Sequence, residues 1–448
     1  MTRLFGTDGI RGVAGRDLTP ELASALGRAL IATLGAQGRP QVAVGRDTRA
    51  SGEMLEAALA GGICSAGGDV LRLGVMPTPA VAFLTTDLGA QAGVIISASH
   101  NPPEDNGIKL FSSEGMKLPD LVEDEIELLM EDPDGPRPEG GGVGRIIPEQ
   151  EDGAERYLRH LVGAAEGTLG GMKVVVDCAN GAAYRLAPAL LRRLGAEVYA
   201  IGDEPDGMNI NVGGGATHPE AVADAVRRFG ADAGVAHDGD ADRALLVDAE
   251  GSLVDGDHII AASAIALKAE GRLAKDTVVS TVMANFGFRR AMEAAGVSFL
   301  ETQVGDRYVL EEMVRSGSVL GGEQSGHVIF LEKATTGDGL LTAAWFLAMA
   351  RREGATVREL SGAMRKYPQV LEAVPVADRG AIDGAAPVWD AVRSAEAELG
   401  DRGRVLVRAS GTEPVVRVMV EAETQEEAER HAGAISDVVR ASLGATGA

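Results

Sequence analysis

With 448 residues, 45% hydrophobic and 24% charged, the chain is too long for one core and too apolar for disorder. A length prior of roughly 150 residues per domain predicts about three domains. Its 66 acidic residues outnumber 42 Lys and Arg, and the net charge of −24 excludes nucleic acid and anionic membrane as natural partners. Two cysteines, Cys64 and Cys178, exclude a disulfide framework and a Cys-rich metal site and suit a reducing cytoplasm.

The opening MTRLFGTDGIRG has no apolar run behind its early arginine, unlike a secretory leader. The longest apolar stretches, IIAASAIAL and GLLTAAWFLAMA, fall short of the roughly 18 residues of a membrane span and read as core helices. A soluble cytoplasmic protein is expected.

Three segments then repeat one pattern: QVAVGRDTRASGEMLEAALAGGICSAGGDVLRLG, MKVVVDCANGAAYRLAPALLRRLGAEVYAIG and DTVVSTVMANFGFRRAMEAAGVSFLETQVG. Each has a β-branched run, a polar turn, an Ala/Leu-rich helix, a glycine at its end (Gly67, Gly195, Gly296) and a second strand. Each is followed by a further helix, then a strand running into a chemically dense loop: GVIISASHNP, AGVAHDGDADR and SVLGGEQSGH. A hairpin-like return follows each loop. The expectation is an α/β protein: three similar domains with mixed, largely parallel sheets, plus a C-terminal α+β domain. Ligands in such sheets bind beyond the strand carboxyl ends, so the loops should line a central cleft. The Gly/Pro-rich stretch 131–144 reads as a linker or surface loop, and the boundaries predicted are 1–153, 154–252, 253–368 and 369–448.

DGDADR sets Asp238, Asp240 and Asp242 at alternate positions. Carboxylates packed this closely repel unless a cation lies among them, and Mg²⁺ suits a loop of few hard ligands with room for phosphate. An EF-hand is excluded, because its sixth and twelfth positions would be Arg243 and Ala249. A solvated acidic turn is the alternative. In SASHNP a hydrolase Ser–His pair is disfavoured, since Ser99 and His100 are adjacent and no G-x-S-x-G elbow occurs. A serine near a Mg²⁺ loop suits phosphoryl transfer, with Ser99 or Ser97 as the acceptor. RASGTEPVVR joins Arg408, Ser410, Gly411, Thr412 and Arg417 in one strand-to-strand turn, a combination that cradles phosphate. GGEQSGH offers Glu323 and Ser325 for sugar hydroxyls and His327 for a proton. Arg11, Arg46 and Arg49 lie in Gly- and Ser-bearing turns as further phosphate partners, Arg11 foremost.

Taken together and in order, SASHNP, DGDADR, GEQSGH and RASGTEP resemble the α-D-phosphohexomutase superfamily, and the resemblance spans the chain. FGTDGIRG and GEQSGH most resemble its branch acting on glucosamine phosphates. The resemblance implies four domains and interconversion of glucosamine 6-phosphate and glucosamine 1-phosphate, a step toward UDP-N-acetylglucosamine. It implies phosphorylation of Ser99, one Mg²⁺ held by Asp238, Asp240, Asp242 and a phospho-Ser99 oxygen, and a glucosamine 1,6-bisphosphate intermediate that also activates. Glu323 and Ser325 would contact the sugar, while Arg408, Ser410, Gly411, Thr412 and Arg417 would hold the phosphate not being transferred. Lys109 and His327 would move protons, with Arg11, Arg243 and His100 around the reacting phosphate. The partner is a small sugar phosphate, and by analogy the chain forms a homodimer. Rival readings are a phosphomannomutase or phosphoglucomutase of the same superfamily, a phosphatase, or a non-catalytic sugar-phosphate-binding protein.

Overall fold

The structure, a computed structural model, describes residues 3–6, 8–35, 38–131, 137–148, 152–410 and 413–444. The chain forms two compact units, one of residues 1–283 and 297–363, the other of residues 284–296 and 364–448.

The first unit holds three sheets. The first comprises β1 (Ile10–Val13), β2 (Gln41–Arg46), β3 (Asp69–Val75), β4 (Ala92–Ile96), β5 (Asp105–Ser112) and β6 (Ile146–Ile147), in the order β1-β5-β4-β2-β3-β6. The second comprises β7 (Lys173–Asp177), β8 (Glu197–Ile201), β9 (Ala233–His237), β10 (Ala244–Asp248) and β11 (Leu253–Val254), ordered β11-β10-β9-β7-β8. The third comprises β12 (Thr277–Thr281), β13 (Ser298–Thr302), β14 (Leu320–Gly322) and β15 (Val328–Phe330), ordered β13-β12-β14-β15.

One arrangement recurs. A central strand (β2, β7 or β12) has a parallel neighbour on each side, and the later neighbour (β4, β9 or β14) is followed by an antiparallel return. Interior strands such as β4, Ala-Gly-Val-Ile-Ile, are buried at every position, as sheets covered on both faces require. The three dense loops therefore occupy one topological place: 97–104 after β4, 238–243 after β9, and 323–327 after β14. The repeated βαβ reading holds, and Gly67, Gly195 and Gly296 do end helices, at φ of 94°, 99° and 65°.

The second unit is a three-stranded antiparallel sheet of β16 (Gln369–Pro375), β17 (Arg404–Ala409) and β18 (Val415–Glu421), ordered β16-β18-β17. Helices Ala386–Leu399 and Gln425–Leu443 share its core of Val374, Val388, Val418 and Ile435. The helix Phe286–Ala294 belongs to this unit although its chain neighbours build the third sheet. The reason is Glu421, fully buried, which accepts from the Asn285 side chain (2.9 Å) and the Phe286 N–H (3.0 Å). No helix among the described residues is long and apolar enough to cross a membrane.

Candidate active site

Ser99 follows β4 with φ of 53°, a left-handed backbone that a non-glycine residue holds only when its surroundings impose it. Arg49 imposes it. Its side chain is 0% exposed, and its Nη2 donates to the carbonyls of Ser99 (3.0 Å) and Asn101 (2.8 Å). Its Nη1 donates to the carbonyls of Asp105 (2.9 Å) and Pro102, and its Nε to Asp47 Oδ2 (2.9 Å). Asn211, from the second sheet's connections, adds its amide to the same two carbonyls of Ser99 (2.9 Å) and Asn101 (3.1 Å). Arg49 is thus a template for the loop rather than the phosphate partner expected from the sequence. Arg46 is likewise engaged, by Glu56 (3.0 Å) and Glu53 (2.9 Å).

The two serines separate clearly. Ser97 is buried, donates to Asp47 Oδ2 (2.6 Å) and accepts from the Ser99 N–H (3.0 Å), so its hydroxyl is committed to the loop. The Ser99 hydroxyl instead donates to Asp238 Oδ2 at 2.7 Å. His100 Nδ1 lies 3.4 Å from Ser99 Oγ. Burial, then the nearby charges of Arg243 and Arg11, push the His100 imidazole down from its ordinary range.

Asp238, Asp240 and Asp242 are buried, and one oxygen of each falls within 4.8 Å of the others. Burial, then the charges of Asp242 and Asp240, push the Asp238 carboxyl far above the usual carboxylate range. Asp240 Oδ2 accepts from the Thr78 hydroxyl (2.6 Å) and Lys109 Nζ (3.2 Å). Asp242 Oδ2 faces His327 Nδ1 (3.5 Å) and Lys109 (3.8 Å). Yet Asp240 Oδ1 and Asp242 Oδ1 are buried without a hydrogen-bond partner. Two orphaned carboxylate oxygens beside a third carboxylate could hold a hard divalent cation.

Cationic groups surround the triad. Lys109 on β5 is buried, which favours the neutral amine, but Asp240, Asp242 and Asp8 outweigh that and hold the ammonium above its ordinary range. Arg11 pairs with Asp8 (3.2 Å) and reaches Asn101 Oδ1 (3.2 Å). Arg243 lies 3.7 Å from Asp242 and 4.0 Å from Asp238. Both arginines have a buried Nε without a hydrogen-bond partner, so donors remain for an anion.

The third loop is stitched to the second. The Ala244 N–H donates to the Gly326 carbonyl (3.1 Å) and the Gly339 N–H to Ala241 (3.0 Å). His327, 2% exposed, accepts the Gly337 N–H at Nε2 (3.0 Å), which places the ring proton on Nδ1 facing Asp242. Both its nitrogens thus face partners within the protein, Nε2 the Gly337 N–H and Nδ1 the Asp242 carboxylate. Glu323 accepts the Gly305 N–H (3.2 Å), and burial, despite nearby His327, pushes its carboxyl up. Ser325 Oγ is buried without a hydrogen-bond partner. Ser99, His100, Lys109, the three aspartates, Arg11, Arg243, Glu323, Ser325 and His327 thus all fall in the first unit, Arg11 and Lys109 on strands β1 and β5 and the others on the three loops.

Within the second unit, Arg408 and Arg417 stand directly opposite on β17 and β18. Like charges paired across strands cost stability, and burial followed by Arg417 pulls the Arg408 guanidinium down. Ser410 closes the turn, its N–H donating to Val415 (2.9 Å) and its carbonyl accepting from Arg379 (2.8 Å). Gly411 and Thr412 lie outside the described residues.

Sequence reasoning missed Thr78, Asn211 and the ion pairs of Lys117 with Asp8 (3.3 Å) and Asp306. Thr78 opens a helix with Pro79 behind it, a pattern visible in MPTPA, but its partner is 162 residues away. The 213–220 loop, which carried no assignable chemistry, is anchored by the Gly215 N–H to Asp177 (2.8 Å) behind the aspartate loop.

Four sequence profiles of the phosphoglucomutase/phosphomannomutase family match the chain: alpha/beta/alpha domain I over 2–136, domain II over 155–251, domain III over 255–367 and the C-terminal domain over 371–438. A phosphoglucosamine mutase from Symbiobacterium thermophilum is 55% identical over 449 residues, covering 99% of this chain and 100% of the relative. The solved structure of a phosphoglucomutase/phosphomannomutase family protein from Burkholderia thailandensis superposes with TM-score 0.82 at 26% identity, over 99% of this chain and 98% of that one. The Aspergillus fumigatus N-acetylphosphoglucosamine mutase, solved with GlcNAc-6P and magnesium, shares the fold at TM-score 0.66 and 20% identity, over 98% and 96% of the two chains.

Proposed function

The chain belongs to the phosphoglucomutase/phosphomannomutase family, and from that premise we propose that it interconverts glucosamine 6-phosphate and glucosamine 1-phosphate as an intramolecular phosphotransferase. The observation that carries this reading is the Ser99 hydroxyl, 2.7 Å from Asp238 in a triad with two orphaned carboxylate oxygens. Full-length identity of 55% to a phosphoglucosamine mutase supports the amino sugar over the neutral hexoses.

The reaction is an exchange in two steps. As the C1 oxygen of glucosamine 6-phosphate bonds to the phosphorus on phospho-Ser99, the Ser99 Oγ–P bond breaks. The C1 hydroxyl proton leaves to a base of the site, and Ser99 Oγ regains one. The bisphosphate turns over, and Ser99 takes the C6 phosphoryl group by the same displacement. Lys109, His327 and His100 are the titratable groups we assign to proton movement. Arg11 and Arg243 offer unpartnered donors to the transferring phosphoryl oxygens. Glu323 and Ser325 are assigned to sugar hydroxyls, and Arg408, Ser410, Gly411, Thr412 and Arg417 to the phosphate not in transfer. Mg²⁺, held by Asp238, Asp240, Asp242 and a Ser99 phosphate oxygen, would neutralise charge on the phosphoryl group. The functional divisions we adopt are 1–153, 154–252, 253–368 and 369–448.

The test is a ³¹P NMR comparison of glucosamine 6-phosphate, glucose 6-phosphate and mannose 6-phosphate, each with Mg²⁺ and a trace of its own 1,6-bisphosphate. The amino sugar should isomerise with by far the highest kcat/KM. A neutral sugar in the lead would keep the chemistry of Ser99 and replace the substrate.

A further inference from the structure

The two oxygens of Asp240 are not equivalent. Oδ2 accepts the Thr78 hydroxyl at 2.6 Å, a short charge-assisted bond, and Lys109 Nζ at 3.2 Å. Oδ1 is buried with no hydrogen-bond partner. Thr78 is 1% exposed and is the first residue of the helix Thr78–Asp87, between the second and third parallel strands of the first sheet. Its backbone N–H also donates to the Asp240 carbonyl (2.9 Å), so one residue of the first α/β repeat grips the aspartate loop of the second twice.

We propose that Thr78 is a positioning residue whose hydroxyl fixes the rotation of the Asp240 carboxylate, presenting Oδ1 to the cation. The inference rests on the proposed Mg²⁺ role of the triad. Lys109 alone does not do this. An ammonium is a compact point charge attracted to either oxygen, whereas a hydroxyl has one proton to place, on a β-branched side chain restricted at χ1. Groups that hold a metal ligand's outer atom govern the affinity of the site, and losing one typically costs about 10–100-fold. The backbone bond from Thr78 to Asp240 survives any substitution except proline, so the hydroxyl can be removed without releasing the loop.

The experiment is Mn²⁺ binding to the full chain, followed by electron paramagnetic resonance of the free ion, on proteins matched in Ser99 phosphorylation by mass. Four residues at position 78 cross hydroxyl with methyl: wild-type Thr, Thr78→Ser, Thr78→Val and Thr78→Ala. Affinity is expected to follow the hydroxyl, with Ser near wild type and both Val and Ala weaker by about 10–100-fold. Affinity that follows the methyl instead, or a Val variant binding like wild type, would overturn the proposal. Having both Val and Ala keeps the test open if one of them folds poorly. A wild-type chain that takes up no Mn²⁺ would sink the metal reading itself, a result distinct from four equal affinities.

Discussion

Ser99 holds its conformation because one buried guanidinium supplies hydrogen bonds to four successive parts of its loop. Removing such a donor takes a hydrogen bond from four carbonyls, of which those of Ser99 and Asn101 keep Asn211, and each lost bond costs about 0.5–1.5 kcal/mol. Lysine keeps the charge of Arg49 but not the fork, so Arg49→Lys should lose about 2–4 kcal/mol by denaturant unfolding. It should also lose most of its kcat while KM changes little, since the loop carries the reacting atom and not the recognition groups. Unchanged kcat would mean that the backbone of Ser99 keeps its place without Arg49. At this scale the sequence was informative where chemistry is dense within a few residues: Ser99 and the alternate aspartates stand out in SASHNP and DGDADR. It misled at Arg49, because a buried guanidinium serving carbonyls and a surface guanidinium serving phosphate look alike in a Gly/Ser turn. Thr78 and Asn211 were invisible, since their meaning lies wholly in partners more than a hundred positions away.

The recurring element explains why the reactive loops converge. Each later parallel strand runs into its loop and returns antiparallel, so three copies of one connection carry Ser99, the aspartate triad and the Glu323–His327 loop. The β-branched runs and helix-ending glycines made this repeat legible before any coordinates. What they did not reveal was that the helix Phe286–Ala294 joins the C-terminal sheet, because Glu421 decides that through side-chain bonds. Helix packing gives a sharp test. In the helix Gly52–Ser65, a Cβ on Gly62 would lie 2.2 Å from the Ser24 carbonyl oxygen of the neighbouring helix Pro20–Leu34, whereas one on Gly61 would meet nothing within 4 Å. Gly62→Ala should therefore destabilise by about 1–3 kcal/mol as the helices separate. Gly61→Ala should stabilise by up to about 1 kcal/mol through helix propensity. Equal effects on the unfolding midpoint would contradict this packing.

For the molecule as a whole, a net charge of −24 is at odds with an anionic substrate unless the site inverts the local field. The site gathers Arg11, Lys109, Lys117 and Arg243 around Asp8, Asp306 and the three triad aspartates, so cationic side chains alone fall short of neutrality. In the proposed reaction a divalent cation at the triad would let phospho-Ser99, itself about −1.5 to −2, face a second phosphate. In the proposed reaction the phosphate on Ser99 is the one exchanged with the sugar. The most direct measurement loads Ser99 with labelled phosphate, adds unlabelled glucosamine 6-phosphate with Mg²⁺, and follows the label by intact-protein mass and on the sugar. Label should leave the protein for the sugar phosphate pool as isomerisation proceeds, while Ser99→Ala should neither take up label nor turn over. Isomerisation with the label still on Ser99 would contradict the proposed exchange.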